Sequence, residues 1–287
     1  MSKAAKQLIL TGASGFIGSR LQQKLREEKR PFFAFPDSLD LRCTTPEIPG
    51  GEGFTVVHLA GLTPQTGLSP GEIFAGNFRM TANLLKALGN SGVSRIVYAN
   101  TNGYAPAGGK PIGEEHPLEL TSAYQLSKYL GEQMLLDFGA ARGITTVSLR
   151  FFNIYGPGQQ EPFLVPYLIN RVRDGEPIVL KQPEARRDYV YLDDAVTALI
   201  LALDVPPEIG GTFNIAAGDA HSSREAAKIV MRLANREVPV RQPDTPPSGP
   251  LPDDRIDISR ARSVLGWSPH TKFEEGILNL LSQAQTS

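Results

Sequence analysis

Tyr124 and Lys128 stand four residues apart in Ser122-Ala123-Tyr124-Gln125-Leu126-Ser127-Lys128. They open a run whose apolar residues Leu130, Met134 and Phe138 keep helical spacing. On a helix, residues four apart share a face. A free phenol titrates near pH ~10 and is a poor acid or base at neutral pH. A lysine ammonium held beside it favours the phenolate and lowers that pKa. Such a pair can exchange a proton with an alcohol or carbonyl oxygen. A Tyr and a Lys also meet by chance on solvated helix faces, and for the pair alone chance is the stronger reading. The elements around the pair reverse it.

Residues 7–11, Gln-Leu-Ile-Leu-Thr, form a short apolar run that stops at glycine, the pattern of a buried parallel strand. Gly12-Ala13-Ser14-Gly15-Phe16-Ile17-Gly18 and an amphipathic segment through Glu28 follow. Strand, glycine turn and helix is the context a dinucleotide fingerprint requires, here spaced G-x-x-G-x-x-G. Gly12 makes the turn, Gly15 lets backbone approach a pyrophosphate, and Gly18 lets the helix pack on the strand. The helix N-terminus, with Ser14, Phe16 and Ile17, offers N–H groups to phosphate. A plain glycine-rich loop is the weaker reading. Residues 32–35 give a second strand, and Asp37 is placed to hold the adenosine ribose, with an ordinary turn aspartate the alternative. No Arg follows in the next few positions to welcome a 2′-phosphate, which favours NAD over NADP. Leu39, Asp40 and Leu41 are expected to line the adenine pocket.

Residues 55–61 form another apolar strand ending in small residues, where Leu59 and Ala60 let backbone approach the cofactor. His58 lies inside that strand and reads as packed. A helix is expected over 77–88 and a strand over 95–99, with Asn100-Thr101-Asn102-Gly103 at its carboxyl end. Ligands in open α/β sheets bind there, so Thr101 is a hydroxyl placed to hold a substrate oxygen, or a turn-capping Thr. The helix of Tyr124 and Lys128 comes next, then a strand over 145–152.

Alternating strands and helices predict an α/β fold, a doubly wound parallel sheet of Rossmann type. After Asn153 the pattern loosens. A smaller C-terminal substrate domain is expected, with residues 1–153 plus 188–216 forming the dinucleotide-binding domain and 154–187 plus 217–287 the second. The ligand pocket would lie in the cleft between them.

The 29 basic and 30 acidic residues nearly balance, so nothing favours nucleic acid or an anionic membrane as partner. One cysteine, Cys43, excludes an internal disulfide and fits a reducing compartment. No apolar run approaches the ~20 residues of a membrane span, and residues 1–7 are polar. The expectation is a soluble, cytoplasmic protein with no metal site.

The ordered motifs resemble one family, the extended short-chain dehydrogenases/reductases of the NAD-dependent epimerase/dehydratase group, which act on nucleotide sugars. Those motifs are 11–18, His58-Leu59-Ala60, Asn77, 124–128, the LRFFNIYGPG run of 149–158, RDYVYLDD of 187–194, and LGWSP of 265–269. The resemblance implies that Tyr124, Lys128 and Thr101 are catalytic and that Lys128 also bonds the nicotinamide ribose. It places Asn77 with the cofactor. It also implies a homodimer through the helix of Tyr124 and Lys128, and a nucleotide-sugar substrate held by Asn153 and Arg187. The family's second arginine, counted back from Asp257, falls on Pro247. Arg255 could replace it, or be a solvated loop residue.

Departures narrow the chemistry. Dehydrating members resemble Thr-Asp-Glu in the active-site loop, and decarboxylating members also carry a Glu there. Two-carbon epimerases use a Cys. Here the loop is Thr101-Asn102-Gly103. What remains is reduction of a 4-keto sugar or 4-epimerisation. The short stretch between the second strand and His58 looks more like the reductases. A binding protein that senses NAD(P) without catalysis is the third reading, which an intact Tyr124 and Lys128 disfavour.

Overall fold

The structure is a computed structural model that describes residues 7–49, 51–243, 251, 253 and 255–284. Pro246, Pro247, Pro250 and Pro252 of the proline-rich loop lie outside the described residues. In chain order the elements are β1 (Leu8–Thr11), α1 (Phe16–Glu27), β2 (Phe32–Ala34), β3 (Glu52–His58), α2 (Pro70–Leu88), β4 (Gly92–Thr101), α3 (Ala123–Arg142) and β5 (Thr145–Phe151). Then follow β6 (Asn153–Tyr155), α4 (Leu164–Asp174), β7 (Ile178–Val179), β8 (Arg186–Tyr191), α5 (Leu192–Asp204) and β9 (Gly211–Ile215). The chain closes with β10 (Ala220–Ser222), α6 (Ser223–Leu233), β11 (Val240–Arg241) and α7 (Phe273–Ala284).

Six strands form one parallel sheet in the order β2-β1-β3-β4-β5-β9. Its inner strands read as unbroken apolar runs because helices cover both faces. All of β1 is buried, as are Phe54, Val56 and Val57 of β3. The order reverses between β1 and β3, which places the glycine loop after β1 at the switch point of the sheet.

Helix α2 starts at Pro70, seven residues before the sequence reading placed it. The cause is a capping box: the Ser69 hydroxyl accepts from the Glu72 N–H at 3.3 Å, and the Glu72 carboxylate accepts from the Ser69 N–H at 2.8 Å. Helix α3 is capped by Ser122, whose hydroxyl accepts from the Gln125 N–H, and it stops at Gly143 in the left-handed region.

A second, three-stranded sheet, β10-β8-β6, leaves the end of the first. Over it α4, α6 and α7 close a separate apolar core around Tyr155, Leu168, Tyr189, Val230 and Phe273. Strand β8 stands at the join, with Val190 in the first core and Tyr189 and Tyr191 in the second. The sequence reading groups all of 217–287 with the smaller domain. Ile256, Ile258, Ala261, Leu265 and Trp267 instead pack into the first core, and the Trp267 indole donates to the Asp194 carbonyl at 2.9 Å. The apolar residues of this stretch return the chain to the sheet, which its position in the sequence does not show.

Candidate active site

The glycine loop is shaped by contacts that admit no side chain. Gly12 has φ +65°, and a Cβ there would lie 2.5 Å from the Ala60 nitrogen. A Cβ on Gly18 would lie 2.2 Å from the Gly12 carbonyl oxygen. Gly15 caps α1 with no side-chain partner, and no acidic residue stands in the first turn. Ser14 and Gly15 are exposed, so the uncapped N–H groups of Phe16 and Ile17 face outward. This cradle fits the pyrophosphate of a dinucleotide. Leu59 and Ala60 form its wall, and Gly61 lies beside Lys128, where a Cβ would come 3.6 Å from the Lys128 Nζ, an ordinary contact.

The adenine end is less uniform. Leu41 is buried, and its carbonyl accepts from the Asn83 amide at 2.8 Å. Asp37 is exposed, and its carboxylate takes no hydrogen bond among the described residues. Asp40 accepts from the Arg42 backbone N–H and from its guanidinium at 2.8 Å, which holds the carboxyl below its usual range. The turn after β2 thus folds Arg42, five residues after Asp37, back onto Asp40.

Tyr124 and Lys128 share a face of α3 as their spacing requires, and Thr101 ends β4 opposite them. The Thr101 side chain is near enough to the Tyr124 hydroxyl to lower its pKa. Burial pushes the Tyr124 pKa up to about 12, and Thr101 opposes that shift. Lys128 is buried, with its Nζ 4.1 Å from the centre of the Tyr98 ring, and desolvation lowers its pKa to about 7. The expectation that Lys128 lowers the Tyr124 pKa is corrected here. Desolvation is the largest cause at both groups, and the Lys128 Nζ sits over the Tyr98 ring.

Asn77 is a buried clamp. Its Oδ1 accepts from the Leu62 N–H at 2.6 Å, and its Nδ2 donates to the Leu62 carbonyl and to the Ser127 hydroxyl. It ties the chain after β3 to α3. His58 is packed as read. It bonds Thr11 at 2.7 Å and Thr81 at 3.2 Å, and burial lowers its pKa to about 3.

The β4–β5 register sets Thr101 beside Phe151, and Asn153, two residues on, begins the wall of a cavity of about 620 Å³. The apolar part of that wall includes Phe163, Val165, Tyr167, Val179 and Tyr189. Its cations are Arg187 and Lys181, and neither has a carboxylate partner among the described residues. The Asn153 amide donates to the Asp188 carbonyl at 2.9 Å, and Asp188 accepts from the Ala217 and Gly218 N–H groups, which fixes β8 and so Arg187. Arg255 lies elsewhere, paired with Asp253 at 3.3 Å and donating to the Gly109 carbonyl. Pro247 lies outside the described residues.

Sequence reading missed Lys181, Arg42 and a buried network around Glu132. Glu132 could have been found, since it continues the Tyr124, Lys128 spacing by four more residues. Lys181 offers no such signal, because only the fold turns β7 toward the cavity. Among the described residues no cluster could hold a metal ion, and no helix is long and apolar enough to cross a membrane.

Residues 51–216 match the model of the NAD dependent epimerase/dehydratase family. The GDP-6-deoxy-D-mannose reductase of Pseudomonas aeruginosa is 28% identical over 299 residues, 96% of each chain. The UDP-glucose 4-epimerase of Thermus thermophilus, solved with NAD, superposes with a TM-score of 0.82 at 26% identity, covering 98% of this chain and 99% of that one. A Pseudomonas aeruginosa protein, RMD, solved with NADPH, superposes with a TM-score of 0.82 at 25% identity over 98% of this chain and 100% of its own.

Proposed function

The chain belongs to the NAD dependent epimerase/dehydratase family, and on that premise we propose that it is an NAD(P)-dependent reductase of a nucleotide 4-keto-hexose. The observation that carries this reading is the placement of Tyr124 and Lys128 on one face of α3 with Thr101 at the end of β4, together with a Tyr124 pKa raised from its ordinary value. A protonated phenol at neutral pH is a proton donor, and reduction of a ketone needs one.

The bound cofactor would supply the hydride to the carbonyl carbon. Gly12, Gly15 and the N–H groups of Phe16 and Ile17 would hold its pyrophosphate, and Lys128 its nicotinamide ribose. Thr101 would fix the carbonyl oxygen beside Tyr124. As that oxygen gains charge, Tyr124 gives up its proton, and the product is an alcohol. Lys128 then faces a phenolate, which favours its charged form and limits the cost of that intermediate state. Arg187 and Lys181, unpaired on the cavity wall, suit the two phosphates of the nucleotide, and the aromatic wall suits the base.

A 4-epimerase is the second reading, favoured by the likeness to the Thermus enzyme. It needs Tyr124 to take a proton first and return it. The two readings separate in one assay. Purified protein is given NADH or NADPH with GDP-4-keto-6-deoxymannose, and in parallel UDP-glucose with NAD. Stoichiometric oxidation of the nicotinamide by the keto-sugar supports the reductase. Formation of the 4-epimer of UDP-glucose with no net change in cofactor would replace it with the epimerase.

A further inference from the structure

Glu132 is fully buried on α3, eight residues after Tyr124 and on the same face. Its Oε2 accepts from Arg150 Nε at 3.2 Å, from Arg150 Nη2 at 2.9 Å and from Asn100 Nδ2 at 2.8 Å. Its Oε1 accepts from the Thr212 hydroxyl. Arg150 also donates to the Tyr104 hydroxyl at 2.8 Å and to the Glu114 carbonyl, and Tyr104 donates to Asn214 at 2.7 Å. Strand register makes the cluster: Asn100 lies beside Arg150, and Arg150 beside Asn214.

A buried ion pair is weak evidence for stability, because desolvation offsets most of its attraction. This one does something more specific through Asn100. A carboxylate only accepts, so Glu132 forces the Asn100 amide to present its NH₂ group inward. The amide oxygen is then left to face the Thr101 N–H, from which it accepts at 2.8 Å. Thr101 is the last residue of β4, where the strand ladder ends. Its backbone is therefore set by Asn100, next to the face of α3 that carries Tyr124, whose pKa the Thr101 side chain lowers.

We propose that Asn100, oriented by the buried Glu132 carboxylate, is a positioning residue that sets Thr101 against Tyr124. This rests on the reductase or epimerase reading, both of which use Thr101. Asn100 and Glu132 lie away from the large cavity, and both border a small pocket with Thr101.

The test is a double-mutant cycle in the full-length protein, using whichever of GDP-4-keto-6-deoxymannose or UDP-glucose turns over. Asn100→Ala should lower kcat about tenfold, a typical loss for a misplaced catalytic group, with KM and cofactor affinity within about twofold. Thr101→Val should lower kcat at least as much. The double variant should be no slower than Thr101→Val alone, because the amide has nothing left to position. If the two losses multiply, Asn100 does not act through Thr101 and the proposal falls. Wild-type turnover in Thr101→Val would also overturn it, and would do so by removing Thr101 from the reaction itself. If Asn100→Ala does not fold, Glu132→Gln in the same cycle gives the same two outcomes, since a neutral amide no longer dictates which way Asn100 faces.

Discussion

At the mouth of β1 the ligand-facing groups are backbone, crowded so closely that a single added carbon at Gly12 or Gly18 would overlap a main-chain atom. In the cavity over β6 and β8 the facing groups are side chains drawn from three separate stretches of chain, the cations Arg187 and Lys181 and the carboxylate Glu161 among them. Between them lies Tyr124, fixed by a helix on one side and a strand end on the other. The first region has no tolerance and the second has a great deal. Such a division lets one dinucleotide site serve different substrates, because the second core varies without disturbing the first.

The largest expected effect follows from the rigid region. Gly12→Ala places a Cβ against the Ala60 backbone at a positive φ, where neither side can yield. We expect a loss of about 3 kcal/mol or more in stability and no measurable cofactor binding, read by thermal unfolding and by NAD(P)H titration. A variant that binds NADH normally would show the loop to be as tolerant as the cavity.

Next comes the residue between the regions. Tyr124→Phe keeps the ring and deletes the proton donor, so turnover should fall ~10²-fold or more while cofactor binding persists. Turnover near wild type would take Tyr124 out of the mechanism.

The tolerant region should respond in smaller steps. Arg187→Ala should weaken nucleotide-sugar binding by ~1.5–3 kcal/mol, typical of a lost charge-assisted bond, and leave cofactor affinity alone. Lys181→Gln should cost about 1 kcal/mol in the same titration, since the lysine is more exposed and more screened. A verified substrate that binds Arg187→Ala as tightly as wild type would place the phosphates elsewhere.

The remaining effect concerns stability against pH and lies outside both regions. The folded pKa of His58 is depressed from 6.5 to about 3 by burial, so the native state holds it neutral. Below pH ~6.5 the unfolded chain binds a proton that the native protein refuses, and stability falls with pH until about 3. By pH 5 that loss amounts to roughly 2 kcal/mol. His58→Asn, which can still bond Thr11 but does not titrate, should flatten this part of the curve in urea unfolding at pH 5 and pH 7. An unchanged slope would assign the acid sensitivity to the carboxylates.

The sequence by itself determined the features that depend on short-range periodicity and on glycine. The strand before Gly12, the helix face shared by Tyr124 and Lys128, Thr101 at the strand end and His58 inside its strand are all read from patterns within a few residues. They also rest on a sheet order that α/β alternation makes nearly obligatory. The start of α2 is equally legible in the capping-box spacing of Ser69-Pro70-Gly71-Glu72, although apolar spacing alone points to Asn77. Tertiary structure alone decided the rest. Spacing places a lysine near a tyrosine, but only packing shows that the ammonium rests on Tyr98 and that burial raises Tyr124. Charge counting near Asp37 could not show Arg42 folded back onto Asp40. Nothing in the sequence near Arg255 or Lys181 says which of them meets the cavity. A turn after β7 and an ion pair to Asp253 settle that, through residues far apart in the chain whose distances no local pattern encodes.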